Sequence, residues 1–208
     1  MSDSIPELMY FNGPGRANLT RLIMAQGKVE FKDTRVANWP EVKGDPNSAP
    51  SQLFGSMPVI KHGDFLLAQS IATASYAAEL GIWKQGILGD GADKHKNKAT
   101  EIMMLATNED MRAAMYKCLF GDDDSKAAGR AALPAAVSKI FGAVERALER
   151  KTAPGPFFFS QNGPSAADLA VYDNVKSPFP GLLALGVDLS AYPKINALVD
   201  AVAKHLAQ

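Results

Sequence analysis

Few residues in this chain have chemistry to offer. Tyr10 closes a short apolar run at 8–11 and faces the turn Asn12-Gly13-Pro14-Gly15, with Arg16 just beyond it. Taken alone, a strand tyrosine is more often a half-buried aromatic. His62, His95 and His205 are scattered, with no metal-ligand spacing and no nucleophile beside them. Cys118 lies in a long helical stretch, where a thiol is usually buried and inert. Gln69-Ser70 opens a small apolar helical pattern over 71–80. Ser70 is a good N-cap. A helix start directly after a strand offers N–H groups and a positive dipole end, which suits a carboxylate or phosphate. A hairpin packed on a capped helix is the plainer reading of that stretch.

The elements that must position these groups follow from local pattern. Runs at 59–61 and 65–68 flank His62-Gly63-Asp64 and predict a hairpin. Pro58 stands at its entry, where a missing N–H does least harm to a ladder and a cis bond is a candidate. A strand at 8–11, a helix at 16–26 stopped by Gly27, and a strand at 29–36 precede it. The stretch 37–53, with Trp39-Pro40, Gly44, Pro46 and Pro50, predicts a loop holding at most one short helix. Loops of that length in a compact domain are often functional. The order β-α-β then β-β-α is that of a thioredoxin-like domain, with a right-handed first crossover. Gly-rich 81–91 reads as a linker. Beyond it the period is helical throughout. A helix is expected over 93–119 with Ile102, Leu105 and Ala106 toward the core, and Asp122-Asp123-Asp124 as a solvated turn. Pro134 suits the first turn of a helix whose stripe is Val137, Ile140, Phe141, Val144 and Leu148. Ser165…Asp168 resembles a capping box, and a final helix is expected at about 192–207. The expected organisation is an α/β domain at 1–80, a linker at 81–91 and an all-helical domain at 92–208.

Composition bounds the function. The chain has 208 residues, enough for one large or two small domains, and 47% of them are hydrophobic, so a packed core is expected. Lys+Arg and Asp+Glu are both 22, a formal net charge of zero. That gives no support for nucleic-acid or anionic-membrane binding. A single cysteine permits no internal disulfide and suits a reducing compartment. Residues 1–10 carry Asp3 and Glu7 and lack the basic start of a signal peptide. No uncharged apolar run reaches the roughly 18–20 residues of a membrane span. A soluble cytoplasmic protein is expected.

Taken together, Tyr10-Phe11-Asn12, Gly15-Arg16-Ala17, Trp39, Lys43, Phe54-Gly55-Ser56-Met57-Pro58 and Gln69-Ser70 resemble a glutathione transferase of the sigma class. That class includes the glutathione-dependent prostaglandin D synthases. The likeness covers nearly the whole chain, is densest before Tyr76, and is supported later by Ser165–Asp168. The resemblance implies a thioredoxin-like N-terminal domain, an all-helical C-terminal domain and a homodimer. It makes Tyr10 the hydroxyl that activates the glutathione sulfur, with Arg16 assisting. It assigns Trp39 and Lys43 to the glycyl end, with Phe11 and Ser56 nearby, and the backbone of Met57, shaped by a cis Pro58, to the cysteinyl part. Gln69 and Ser70 would hold the γ-glutamyl carboxylate, and Glu109 would reach the glutamyl amine across the dimer. Gly15, Met111, Arg112, Met115 and Tyr116 would line a pocket for a small apolar electrophile, although ordinary core packing explains the last four almost as well. Ser56 and Asn18 depart from the family pattern, and the loop at 44–53 is long. Leu105 and Asn108 stand where some prostaglandin D synthases carry a metal-binding acid, so no metal is implied. The implied activity is detoxifying conjugation of glutathione. Isomerase action on a prostaglandin-like endoperoxide is the second reading, set back by Tyr116 where such enzymes tend to have Trp. A non-catalytic ligand-binding relative is the third. A cysteine-dependent redox member is disfavoured, because its nucleophile would sit near 10–16, which holds no cysteine.

Overall fold

The computed structural model describes residues 4–89 and 91–208. They form two compact units that meet in sequence between Gln85 and Gly86.

In the first unit, β1 (Glu7–Phe11) turns Leu8 and Tyr10 inward, as strand alternation requires. It pairs in parallel with β2 (Lys32–Val36), the connection passing through α1 (Asn18–Gln26). A short helix, α2 (Trp39–Gly44), follows β2. The expected hairpin is β3 (Val59–His62) and β4 (Phe65–Ala68), with β3 antiparallel to β1. The sheet order is β2-β1-β3-β4. On α1 and α3 (Ser70–Leu80), the Thr20 and Thr73 hydroxyls meet at 3.2 Å in the core. A Cβ on Gly27 would lie 2.9 Å from Gly81 Cα, so the two glycines permit this close backbone crossing. Elsewhere in the unit Ala49, Val59 and Ala68 are buried, with Met9, Leu53 and Leu66 packed on them.

Two expectations change here. The second strand is shorter than 29–36, because Lys28 turns the chain at φ 54° and Val29 N–H bonds back to Met24. The described part of the stretch read as a linker carries its own structure. Ile82–Gln85 is a 3-10 turn, and Ile82, Trp83, Ile87 and Leu88 are buried.

The second unit contains α4 (Gly91–Lys117), α5 (Asp123–Arg150), α6 (Ala166–Lys176) and α7 (Pro193–Leu206). Helix α4 packs on α5 and α6, and α7 packs on both of the latter. The buried stripe of α4 is Glu101, Met104, Leu105, Asn108, Met111, Arg112 and Met115, at helical spacing. Ile102 is instead 39% exposed. Polar residues occupy much of the inward stripe, so the apolar period alone points to the wrong face at Ile102. Asp122 is not a loose turn residue. Its side chain accepts from Ser125 N–H and caps α5. Pro134 lies inside α5 rather than at a start. Its ring removes one backbone bond, yet Leu133, Val137, Phe141, Val144 and Leu148 are buried along the helix and carry it through.

Carboxylates tie the helix starts. Glu101 of α4 accepts from Ala166 N–H at the start of α6. Glu145 of α5 accepts from Lys194 and Ile195 N–H, at 2.8 and 3.0 Å, where α7 has no side-chain cap of its own. The capping box on α6 is formed as expected, with Asp168 also accepting from Phe158 N–H. Full burial pushes the Asp168 carboxyl from 3.8 up to about 6, against the pull of these donors.

A raised folded-state carboxyl stabilises the fold below its unfolded value and loses that contribution as pH rises. The window runs from roughly pH 4 to 6 and is worth about 3 kcal/mol for two units. Asp168→Asn does not titrate. Urea unfolding should therefore show wild type losing ground relative to the variant between pH 4 and 6.5. A difference constant across that range would contradict the assignment.

Candidate functional site

Strand register gathers the sequence candidates of the first unit at one end of the sheet. Met9 pairs with Val59, and Val59 with Ala68. The C-terminal end of β1 thus lies beside the N-terminal end of β3 and the C-terminal end of β4. Tyr10 and Phe11, the Met57-Pro58 turn, and Gln69-Ser70 share that end. Phe11 also pairs with Val36 on β2, which brings the chain to Trp39 three residues on.

Tyr10 is 7% exposed. Its oxygen accepts a hydrogen bond from Arg16 N–H at 3.0 Å. Arg16 sits in a 3-10 turn, Gly15–Ala17, ahead of α1. Gly15 adopts φ +44°, and a Cβ there would lie 2.5 Å from the Tyr10 oxygen. The Tyr10 ring meets Phe11 edge-on at 5.3 Å, and Phe11 meets Trp39 at 5.5 Å. This aromatic ladder ties α2 to β1. The long loop has a positional role, since the hydroxyls of Ser48 and Ser51 donate to Val42 O and Lys43 O at the end of α2. Lys43 and Ser56 are exposed, Trp39 half-buried.

The Met57-Pro58 bond is cis, as its setting suggested. Ser70 is not the N-cap. It is the first helical residue, and Gln69 occupies the cap position at φ 78° without a side-chain cap bond. A non-glycine residue in that region costs of order 1–3 kcal/mol and is usually held by its surroundings. The first-turn N–H groups of α3 lack helical partners one turn earlier, an arrangement suited to a carboxylate.

The other candidates lie on α4. Glu109 is half-exposed; Met111, Arg112 and Met115 are buried. Arg112 forms a buried ion pair with Asp173 of α6. Tyr116 meets the Phe120 and Phe179 rings edge-on at 5.4 and 5.6 Å.

Sequence reasoning missed Arg21 and Asp33. Arg21 Nε lies 3.1 Å from both carboxylate oxygens of Asp33. Its Nη1 donates to Gly13 O and Pro14 O, each at 3.1 Å, and its guanidinium lies 5.8 Å from the Tyr10 ring centroid. The available signal was a charged pair, Asp33 and Arg35, alternating within a short strand.

Residues 109–206 match the family model described as "Glutathione S-transferase, C-terminal domain". The chain is 26% identical over 205 residues to probable glutathione S-transferase 5 of Caenorhabditis elegans, covering 94% of this chain and 89% of that one. It is 38% identical over 72 residues to the hematopoietic prostaglandin D synthase of Rattus norvegicus, about a third of each chain. Among solved structures, a C. elegans-specific glutathione transferase aligns with a TM-score of 0.73 at 22% identity, covering 99% of this chain and 97% of that one. Among the described residues, no helix is long and apolar enough to cross a membrane.

Gly15→Ala should lower stability by about 2 kcal/mol, from positive φ and from the clash with the phenol. A urea midpoint unchanged from wild type would show that the turn relaxes freely.

Proposed function

We propose that the chain is a glutathione transferase, a reading supported by the match of residues 109–206 and by the full-length likeness to the nematode enzyme, and that Tyr10 stabilises the glutathione thiolate for attack on small apolar electrophiles. What carries this reading is the state of the phenol. Its oxygen accepts the Arg16 N–H, and among the described residues its own hydrogen has no protein acceptor. A phenol arranged so is a donor waiting for an acceptor.

The chemistry needs only that. The thiolate is the nucleophile, and a free thiol near pKa 8.5 is little ionised at neutral pH. Lowering that value by two units takes about 2.7 kcal/mol of differential interaction, within reach of charge-assisted hydrogen bonds in a partly dry site. The thiol proton leaves to solvent, the thiolate forms a carbon–sulfur bond, and the leaving group departs with its electron pair. Holding both reactants side by side supplies much of the remaining rate.

We assign the γ-glutamyl carboxylate to Gln69, Ser70 and the start of α3. The cysteinyl part goes to the Met57 backbone, and the glycyl end to Trp39 and Lys43 with Phe11 and Ser56 beside them. In a homodimer, Glu109 would meet the glutamyl amine of the glutathione held by the partner subunit. On the second unit, Met111, Met115 and Tyr116 are proposed for the electrophile side, where flexible methionines suit varied apolar shapes. Arg112 would contribute there less than the sequence suggested, given its ion pair with Asp173. The motifs favour the sigma class. A second reading, isomerase action on an endoperoxide, draws on the local likeness to the rat prostaglandin D synthase; turnover of such a substrate by the purified protein would establish it.

With an activated chloroarene at pH 6.5, Tyr10→Phe should reduce kcat/KM about 100-fold, the usual scale for losing one aimed donor. Equal rates would remove Tyr10 from the mechanism. Ser70→Ala should raise KM for glutathione roughly tenfold while kcat holds, as loss of uniform binding requires. A fall in kcat alone would contradict its assignment.

A further inference from the structure

The Tyr10 ring is held from two sides by one residue outside the proposed glutathione contacts. We propose that Arg21 is a positioning residue for the Tyr10 hydroxyl, a role that rests on the Tyr10 assignment above. Four hydrogen bonds and one ring contact converge on its head. Nε is bound by both Asp33 oxygens, Nη1 by the carbonyls of Gly13 and Pro14, and the guanidinium stands over the phenol ring. Those two carbonyls belong to the turn that leads directly into Gly15 and the Arg16 N–H. The same head therefore fixes the ring and the segment that delivers the donor to its oxygen.

A purely stabilising role fits poorly. Burial pulls the Arg21 guanidinium below its ordinary value, although Asp33 opposes this. Its Nη2 is buried without a hydrogen-bond partner among the described residues. Asp33 keeps 27% of its side chain exposed, and ion pairs open to solvent contribute little to stability, so the pair is better explained by geometry than by stability. Lysine cannot reproduce that geometry, because its compact ammonium lacks the planar fork that spans a carboxylate and two carbonyls.

Arg21→Met and Arg21→Lys should be compared with wild type, alone and combined with Tyr10→Phe. The readouts are kcat/KM for glutathione across pH 5.5–9 with an activated chloroarene, and calorimetric binding of S-methylglutathione, which has no thiol to ionise. Arg21→Met should lose about tenfold at pH 6.5, since small misplacements of a catalytic group carry penalties of this size. Its pH profile should move toward alkali by roughly half a unit to one unit, while S-methylglutathione binds within about threefold of wild type. Arg21→Lys should restore little. Neither substitution should reduce the rate further in the Tyr10→Phe background, as expected of residues acting as one unit. An unmoved pH profile, or an equal loss in the absence of the phenol, overturns the proposal. A normal Arg21→Met beside a defective Tyr10→Phe removes this inference alone, whereas a fully active Tyr10→Phe removes the Tyr10 assignment and this one with it. Should Arg21→Met not fold, Asp33→Asn loosens the same head while keeping its charge. A smaller shift in the same direction supports the role, and an unshifted profile overturns it.

Discussion

A phenol has one proton to give, and the backbone of Arg16 decides where the Tyr10 proton goes. By donating to the oxygen at 3.0 Å, that N–H leaves the hydroxyl hydrogen directed elsewhere. The arrangement survives only because residue 15 has no side chain, since a Cβ would stand 2.5 Å from the same oxygen. It also needs the register of three strands. If β3 slipped by one residue against β1, the inward face of β3 would turn outward. The Met57-Pro58 turn would then leave the end of the sheet that carries Tyr10. Sheet topology, a glycine turn and one hydrogen bond together act as a single constraint.

The helical unit solves a different problem. Its long helices bury polar groups whose partners come from other helices. Glu101 caps α6, and Glu145 caps α7, from a distance in sequence of tens of residues. Arg112 pairs with Asp173 across α4 and α6. Near that pair Asn108 Oδ1, Arg112 Nη1, Asn174 Oδ1 and Ser177 Oγ are buried without partners among the described residues. This mixed set of donors and acceptors has the polar complement that ordered internal water satisfies. Such a core specifies which helix meets which, because a mispaired helix would strand a charge.

What the sequence revealed and what it hid divide along the same line. The hairpin, the capping box on α6, the cis bond at Pro58 and the order of the first unit were legible, because each rests on neighbours in the chain. So was the gathering of Tyr10 with Gln69 and Ser70, once the motifs were read in order. The burial of α4 was misjudged at Ile102, because Glu101, Asn108 and Arg112 occupy the inward stripe and periodicity of apolar residues passes over them. Pro134 and Ser70 were each placed one role away from their true position. Proline and serine propensities favour helix starts, but buried leucines and valines carried α5 through the proline, and the strained Gln69 took the cap position.

Arg21 and Asp33 escaped for the most instructive reason. The edge strand β2 carries charge beside the site, with Asp33 opposite Leu8 and Arg35 opposite Tyr10 in the parallel register. Charges on an edge strand discourage pairing with another chain, but here they have a further consequence. Asp33 is shared by Arg21 and the more exposed Arg35, and both arginines donate to Gly13 O. The turn before Tyr10's donor is therefore held by two cations and steadied by one carboxylate. Local pattern counts Asp33 and Arg35 against a strand and Arg21 as a solvated helix residue. Their placement makes sense only when the fold has brought α1, β2 and the glycine turn around one aromatic ring. Local rules and final structure disagree most where the geometry serves the phenol, as expected when a functional site is built at the expense of local consistency.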